Sequence, residues 1–155
     1  MSSFMLRALA LLSMFADHTG LALFPRIGLF RCAGRLAFPL YCFLLVQGYI
    51  HTRDLRAYAR RLLLLAILSE IPFDLLIFGR VSSLMEQNVL FSLLLGMAAV
   101  WTADRYEEEP GKAALGILLV FIASMLARVS YGWLGVALCL CFYKMQGSRA
   151  KQALC

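Results

Sequence analysis

Asp17 and His18 stand side by side inside an apolar run, with Leu9 to Phe15 before them and Leu21 to Phe24 after. An ionisable group at the centre of a membrane-spanning helix costs about 2.5–3.5 kcal/mol on insertion scales. A chain keeps such groups for a reaction or for a specific internal pairing. In a regular helix neighbours at i and i+1 point about 100° apart. Asp17 and His18 therefore form no dyad, and each needs a partner from another helix unless Gly20 ends this one early. Arg35 is the natural partner for Asp17, and Glu70 or Asp74 for His18. A histidine held by a carboxylate is a general base suited to neutral pH. The competing reading is a buried ion-pair network that fixes helix packing and does no chemistry.

Two prolines sit beside these charges. In Gly34-Arg35-Leu36-Ala37-Phe38-Pro39 the proline has no N–H for the carbonyl of Arg35. A kinked helix with a free carbonyl beside an arginine is expected, which suits a polar cavity as well as an ordinary bend. Pro72 does the same for Leu68 within Ser69-Glu70-Ile71-Pro72-Phe73-Asp74. Glu70 and Asp74 are four apart and share a helix face. Neighbouring carboxylates readily share a proton, so this pair suits proton transfer, or else pairing with Arg35 or Arg80. His51-Thr52-Arg53 opens a basic turn that continues through Arg56 to Arg60 and Arg61. The guanidinium fork matches phosphate. The turn reads either as a site for the phosphates of a ligand such as coenzyme A or as an anchor on anionic membrane lipid. His51 is a second candidate acid or base.

The elements that must position these residues are apolar throughout. The 155 residues are 62% hydrophobic and 15% charged, with a mean hydropathy of +0.79, which fits an integral membrane protein. The expected fold is an all-α integral membrane protein, a compact bundle of about six transmembrane helices. The segments are Phe4–Phe24, Arg31–Ile50, Tyr58–Phe78, Asn88–Trp101, Ala113–Ala127 and Tyr131–Tyr143. A full span needs about 20 residues. The first three comply, and the last three are expected to tilt little or to extend into the interface. Residues 1–145 read as one polytopic domain and 146–155 as a short basic tail. The apolar start reads as a retained first helix rather than a cleaved signal, because no positive residue precedes Arg7.

Charge sets orientation. Of the fifteen Lys and Arg, Arg26, Arg31, Arg35, Arg80 and Arg128 fall on one side and the other ten on the opposite side. The basic-rich side is the cytoplasmic one, so both termini are expected there. Asp17, His18, Arg35, Glu70, Asp74, Asn88 and Tyr131 then share the outer half of the membrane. The net charge of +6 is no sign of nucleic acid, because the basic residues lie in short turns and form no stripe. Five cysteines without a Cys-x-x-Cys, beside two histidines, argue against a disulfide framework or a metal site. The cysteines read as small buried hydrophobes.

Seven motifs in fixed order carry a resemblance. They are Asp17-His18-x-Gly20, Gly34-Arg35-x-Ala37-Phe38-Pro39, Gly48-Tyr49-x-His51-Thr52-Arg53, Tyr58-x-x-Arg61-Leu62, Ser69 to Asp74, Asn88-Val89-Leu90-Phe91 and Tyr131-Gly132-x-x-Gly135-Val136. Together they resemble the TraX family of bacterial membrane acetyltransferases, over about Leu6 to Tyr143. The resemblance implies a multi-pass enzyme of the bacterial inner membrane with acetyl-coenzyme A as donor. The name-giving member acetylates the N-terminal amine of conjugative pilin, and larger similar enzymes modify sugars with a buried histidine. Two departures stand out. Ser130 occupies a place that is usually acidic in the family. Most members also continue with further helices past the point reached at Cys155. A second copy in a homo-oligomer is expected to supply them, or the chain is inactive.

The expected function is transfer of an acetyl or other short acyl group to an amine or hydroxyl of a peptide, protein or glycan at the outer face. His18 would act as base, and Asp17, Glu70 or Asp74 would orient it. Arg35 and Asn88 would stabilise the oxyanion. His51, Arg53, Arg56, Arg60 and Arg61 would hold the acetyl-coenzyme A phosphates. The rivals are a proton-coupled small transporter or channel subunit using the buried carboxylates, and a structural membrane subunit.

Overall fold

A computed structural model describes the backbone of residues 3–23, 34–78 and 87–153, and the side chains of 4–20, 34–75 and 87–146. Arg26, Arg31 and Arg80 of the sequence reading lie outside the described residues. The described residues form six α-helices: α1 (Ser3–Leu23), α2 (Ala37–His51), α3 (Leu55–Phe78), α4 (Val89–Arg105), α5 (Pro110–Leu126) and α6 (Gly132–Ala153). Each of the six apolar segments is therefore helical over most of its described residues. The chain divides into two compact units, Met1–Leu44 and Leu45–Cys155.

The helix ends follow from local chemistry. Asp54 caps α3, its Oδ1 accepting from the Ala57 N–H at 2.9 Å. Asn88 caps α4, its Oδ1 accepting from the Leu90 N–H at 2.9 Å. Pro110 sits in the first turn of α5, where a missing N–H costs nothing. Pro39 is likewise only two residues into α2. Gly34 and Arg35 are helical, Leu36 is a turn, and α2 begins after it. The expected kink is thus a break ahead of Pro39 rather than a bend within a continuous helix. Pro72 does lie inside α3. The sixth segment runs through Lys144, Met145 and Gln146 to Ala153, because those side chains are good helix formers. The basic tail continues α6 at least to Ala153.

In the second unit α4 packs against α3, α5 and α6, and α5 packs against α6. The contact surfaces are made of small residues. A Cβ built on Gly96 of α4 would lie 2.5 Å from Cys139 Sγ of α6, and one on Gly116 of α5 would lie 2.5 Å from Thr102 Cγ2 of α4. Ala66, Ser92, Ala99, Ser124, Val136 and Cys139 are buried together with Leu93 and Met97, while most leucines of α3 and α5 face outward. Leu68 is 74% exposed and Leu126 is 78% exposed. No helix among the described residues is long and apolar enough to cross a membrane. The 15 residues of α2 and the 17 each of α4 and α5 fall short of the roughly 20 that a span needs. The longer α3 carries Arg56, Arg60, Arg61, Glu70 and Asp74.

One contact tests this packing. Gly96→Ala should destabilise the protein by about 1–3 kcal/mol through overlap with the Cys139 sulfur. Cys139→Ala in the same chain should recover most of that loss, measured as thermal unfolding of purified protein. Additive losses in the double variant would contradict the close approach of α4 and α6.

Candidate active site

The polar interior of the second unit is organised around Asn88, which is buried. Its position follows from its capping role, which holds the side chain at the first turn of α4 and aims the amide nitrogen at α3. That Nδ2 donates to the carbonyl of Ala66 at 2.8 Å and to Ser69 Oγ at 3.2 Å. It also donates to Glu70 Oε2, which accepts the Asn88 backbone N–H at 3.3 Å as well. Ser69 Oγ itself donates to the carbonyls of Leu65 at 2.7 Å and Ala66 at 3.1 Å. These bonds gather one turn before Pro72, where the helix ladder is already interrupted. Glu70 Oε1 is buried without a hydrogen-bond partner. Asp74, one turn further along α3, is 1% exposed.

This geometry revises one expected role. Both amide hydrogens of Asn88 are engaged by acceptors on α3, so Asn88 holds Glu70 and is not a free donor for an oxyanion. Glu70 and Asp74 do share a helix face.

The start of α4 is also strapped to the turn between α5 and α6. The Gln87 N–H donates to the Arg128 carbonyl at 3.2 Å, and the Ser130 N–H donates back to Gln87 O at 3.1 Å. Ser130 Oγ adds a bond to the same oxygen at 2.6 Å, and the Tyr131 N–H donates to Ser92 Oγ at 3.3 Å. Arg128 and Gly132 both adopt positive φ, 48° and 46°, to make the reversal. The hydroxyl of Ser130 thus has a structural task at the place where an acid was expected.

In the first unit Asp17 and His18 are half-buried on α1. His18 Nδ1 lies 2.8 Å from the Met14 carbonyl. A carbonyl only accepts, so this bond puts the proton on Nδ1 and leaves the Nε2 lone pair for a base. Gly34 packs directly on Asp17, and a Cβ there would overlap its side chain. Arg35 is exposed, and it makes no ion pair with Asp17. The expected Asp17–Arg35 pair is not formed, because the approach to Asp17 is taken by Gly34 while Arg35 points outward.

The basic turn is exposed as its chemistry requires. His51, Arg53, Arg56, Arg60 and Arg61 all lie at the surface. His51 Nδ1 bonds the carbonyl of Gln47 at 2.8 Å, which leaves its Nε2 free by the same argument as for His18. Among the described residues no group of histidines, cysteines and carboxylates could hold a metal ion.

Several polar residues with defined partners have no role assigned by the sequence, although Ser69 and Tyr49 fall within its motifs. Ser69, Gln87 and Ser92 serve the Asn88 region. Tyr49, Asp104 and Tyr143 meet elsewhere: Tyr49 Oη donates to Asp104 Oδ2 at 2.7 Å, and Tyr143 Oη donates to Asp104 Oδ1. Asp104 did carry a signal. A carboxylate in the last turn of a helix opposes the macrodipole, so it calls for a specific partner.

The family model for the TraX protein matches residues 2–154. The probable fimbrial assembly protein FimC, serogroup H1, of Dichelobacter nodosus is 33% identical over 134 residues, covering 79% of this chain and 54% of that protein. An uncharacterised protein of Rickettsia prowazekii (strain Madrid E) is 24% identical over 157 aligned positions, covering 97% of this chain and 58% of that protein. The chain thus spans little more than half the length of these curated relatives. No solved structure matches it.

The role found for Asn88 is open to test. Asn88→Ala removes a cap and strands buried acceptors on α3, and should cost about 2–4 kcal/mol in thermal unfolding. Asn88→Asp keeps the cap but sets a second carboxylate against Glu70. It should be destabilised at neutral pH and recover when Glu70→Gln is added. Stability equal to wild type in Asn88→Ala would contradict the assignment.

Proposed function

The chain belongs to the TraX family, and from that premise we propose that it is a membrane-embedded acyltransferase acting on pilin or on a related surface peptide or glycan. The fimbrial assembly name of the Dichelobacter relative supports the pilin direction. The membrane reading is supported by the arrangement of side chains. Leu64, Leu68, Leu118, Leu119 and Leu126 face outward, while the polar side chains of Asp74, Asn88, Ser92, Thr102 and Ser124 are buried beside Leu93, Met97 and Val100. Outward apolar area on that scale needs an apolar surrounding. Short helices fit a bilayer that thins around them, and long basic side chains reach the interface. The protein would sit in the bacterial inner membrane with both termini in the cytoplasm.

The observation that carries the acyl-transfer reading is the layout of α3. Its first turns present Arg56, Arg60 and Arg61 to solvent, and its middle carries Glu70 with one carboxylate oxygen fixed by Asn88 and the other unpartnered. Ten residues of helix separate Arg60 from Glu70, about 15 Å, within reach of an extended pantetheine arm. Acetyl-coenzyme A would dock its phosphates on the arginines, with His51 and Arg53 beside them. The acceptor nitrogen or oxygen adds to the thioester carbonyl, its proton passes to a base, and coenzyme A leaves as the thiol. Two groups are set up as that base, His18 through Nε2 and Glu70 through Oε1. Arg35, exposed in the first unit, would be the cationic donor for an oxyanion. The buried carboxylates beside Pro72 favour one other reading, a proton-coupled transporter.

Acetyl-coenzyme A binding and slow hydrolysis by the purified protein in detergent test this. Replacing Arg60 and Arg61 by alanine should weaken binding about ten- to a hundredfold. His18→Ala should remove hydrolysis while leaving binding intact. Loss in Glu70→Gln with retention in His18→Ala would assign the base to Glu70. Absence of donor binding by folded wild type, with proton flux in vesicles, would replace the enzyme reading by the transporter.

A further inference from the structure

Asp104 lies at the far end of α4 from Asn88, and its carboxylate is gripped from two sides. Tyr49 of α2 donates to Oδ2 at 2.7 Å and Tyr143 of α6 donates to Oδ1. The two rings stand edge to face, 6.0 Å apart at 89°. A second tie joins the same two helices, because Gln47 Nε2 donates to Gln146 Oε1 at 3.1 Å. Between Gln47 and Tyr49, Gly48 leaves room for the Tyr58 side chain of α3: a Cβ there would lie 2.8 Å from Tyr58 Oη. His51 follows Tyr49 by two residues, and the chain then turns through Thr52 and Arg53 to the Asp54 cap of α3. The last residues of α2 are therefore held on three sides immediately before the basic turn.

We propose that Tyr49, Asp104 and Tyr143 form a clamp that positions the basic turn for its anionic ligand, with Asp104 acting through Tyr49. The inference rests on the donor site proposed above and adds the residues that set its geometry. The turn needs such a device. Its exposed cations repel one another, and the end of a helix frays when nothing anchors it. Arginines already held in place bind phosphate with less ordering to do. A hydrogen bond to a charged partner is among the stronger side-chain contacts. Tyr49 is the member that leads directly into the turn. Tyr143 engages the other carboxylate oxygen and fixes how Asp104 is oriented. All three are positioning residues and none touches the acyl group.

The test uses the full chain in detergent and two independent readouts. The first is limited trypsin cleavage after Arg53 and Arg56, which needs no ligand. Tyr49→Phe should speed it about fivefold, as expected for one lost charge-assisted bond, and Tyr143→Phe should speed it less. The second is coenzyme A binding and acetyl-coenzyme A hydrolysis. Tyr49→Phe should raise Kd and KM several-fold and leave kcat within about a factor of two, a split that a general loss of stability does not produce. Wild-type trypsin kinetics in Tyr49→Phe would overturn the clamp. Faster cleavage with unchanged coenzyme A affinity would overturn its role in ligand positioning. No coenzyme A binding by wild type would overturn the donor site itself, and the trypsin result would still judge the clamp.

Discussion

The amide of Asn88 ties the second unit together. A buried primary amide is costly when its donors and acceptor go unmet, and here each is met by a different part of the fold. The oxygen caps α4, and the nitrogen spans Ala66, Ser69 and Glu70 on α3. The preceding residue, Gln87, bonds the α5–α6 turn through its backbone. Two helices and one turn are thereby fixed within two residues of chain. Glu70 enters this network by one oxygen, and the orientation of the other follows. The candidate chemistry of α3 is thus a consequence of how α4 begins.

A network of this kind survives only where the backbones come close. Gly96 against Cys139 and Gly116 against Thr102 supply the close approach, as small residues do where helices meet in an apolar surrounding. The large leucines of α3 and α5 are displaced to the outside, the reverse of the usual partition. Exposed leucines on α3 and α5 around an interior that holds Asp74, Asn88, Ser92, Thr102 and Ser124 are one coherent solution if the surrounding medium is lipid. It also places the arginines at the start of α3 where a charged ligand would meet them.

The number of helices and most of their ends were legible in the sequence, because apolar runs, Asn88, Pro110 and the Tyr131-Gly132 turn mark them directly. The shared face of Glu70 and Asp74 follows from spacing alone. Rotation about each helix axis was not legible. Helices that are apolar on every side leave no stripe to say which face is inward. For that reason the sequence suggests Arg35 as a partner for Asp17, whereas Arg35 is exposed, and suggests Asn88 as an oxyanion donor, whereas its amide hydrogens are in use. The Tyr49–Asp104–Tyr143 contacts join residues 55 and 39 apart, and only the packing of α2, α4 and α6 brings them together. Ser130, noted as a departure from the family pattern, turns out to bond Gln87.

The account stands or falls on whether an acyl group leaves the donor for an acceptor. The most direct measurement supplies acetyl-coenzyme A with an isotopically labelled acetyl group to the protein reconstituted in lipid vesicles. A peptide bearing a free N-terminal amine is offered beside its blocked counterpart, and both are read by mass spectrometry. The account predicts labelled acetyl on the free peptide, dependent on the arginines of α3. Label on neither peptide, from a folded and correctly inserted protein that also leaves hydroxyl acceptors unmodified, would contradict it.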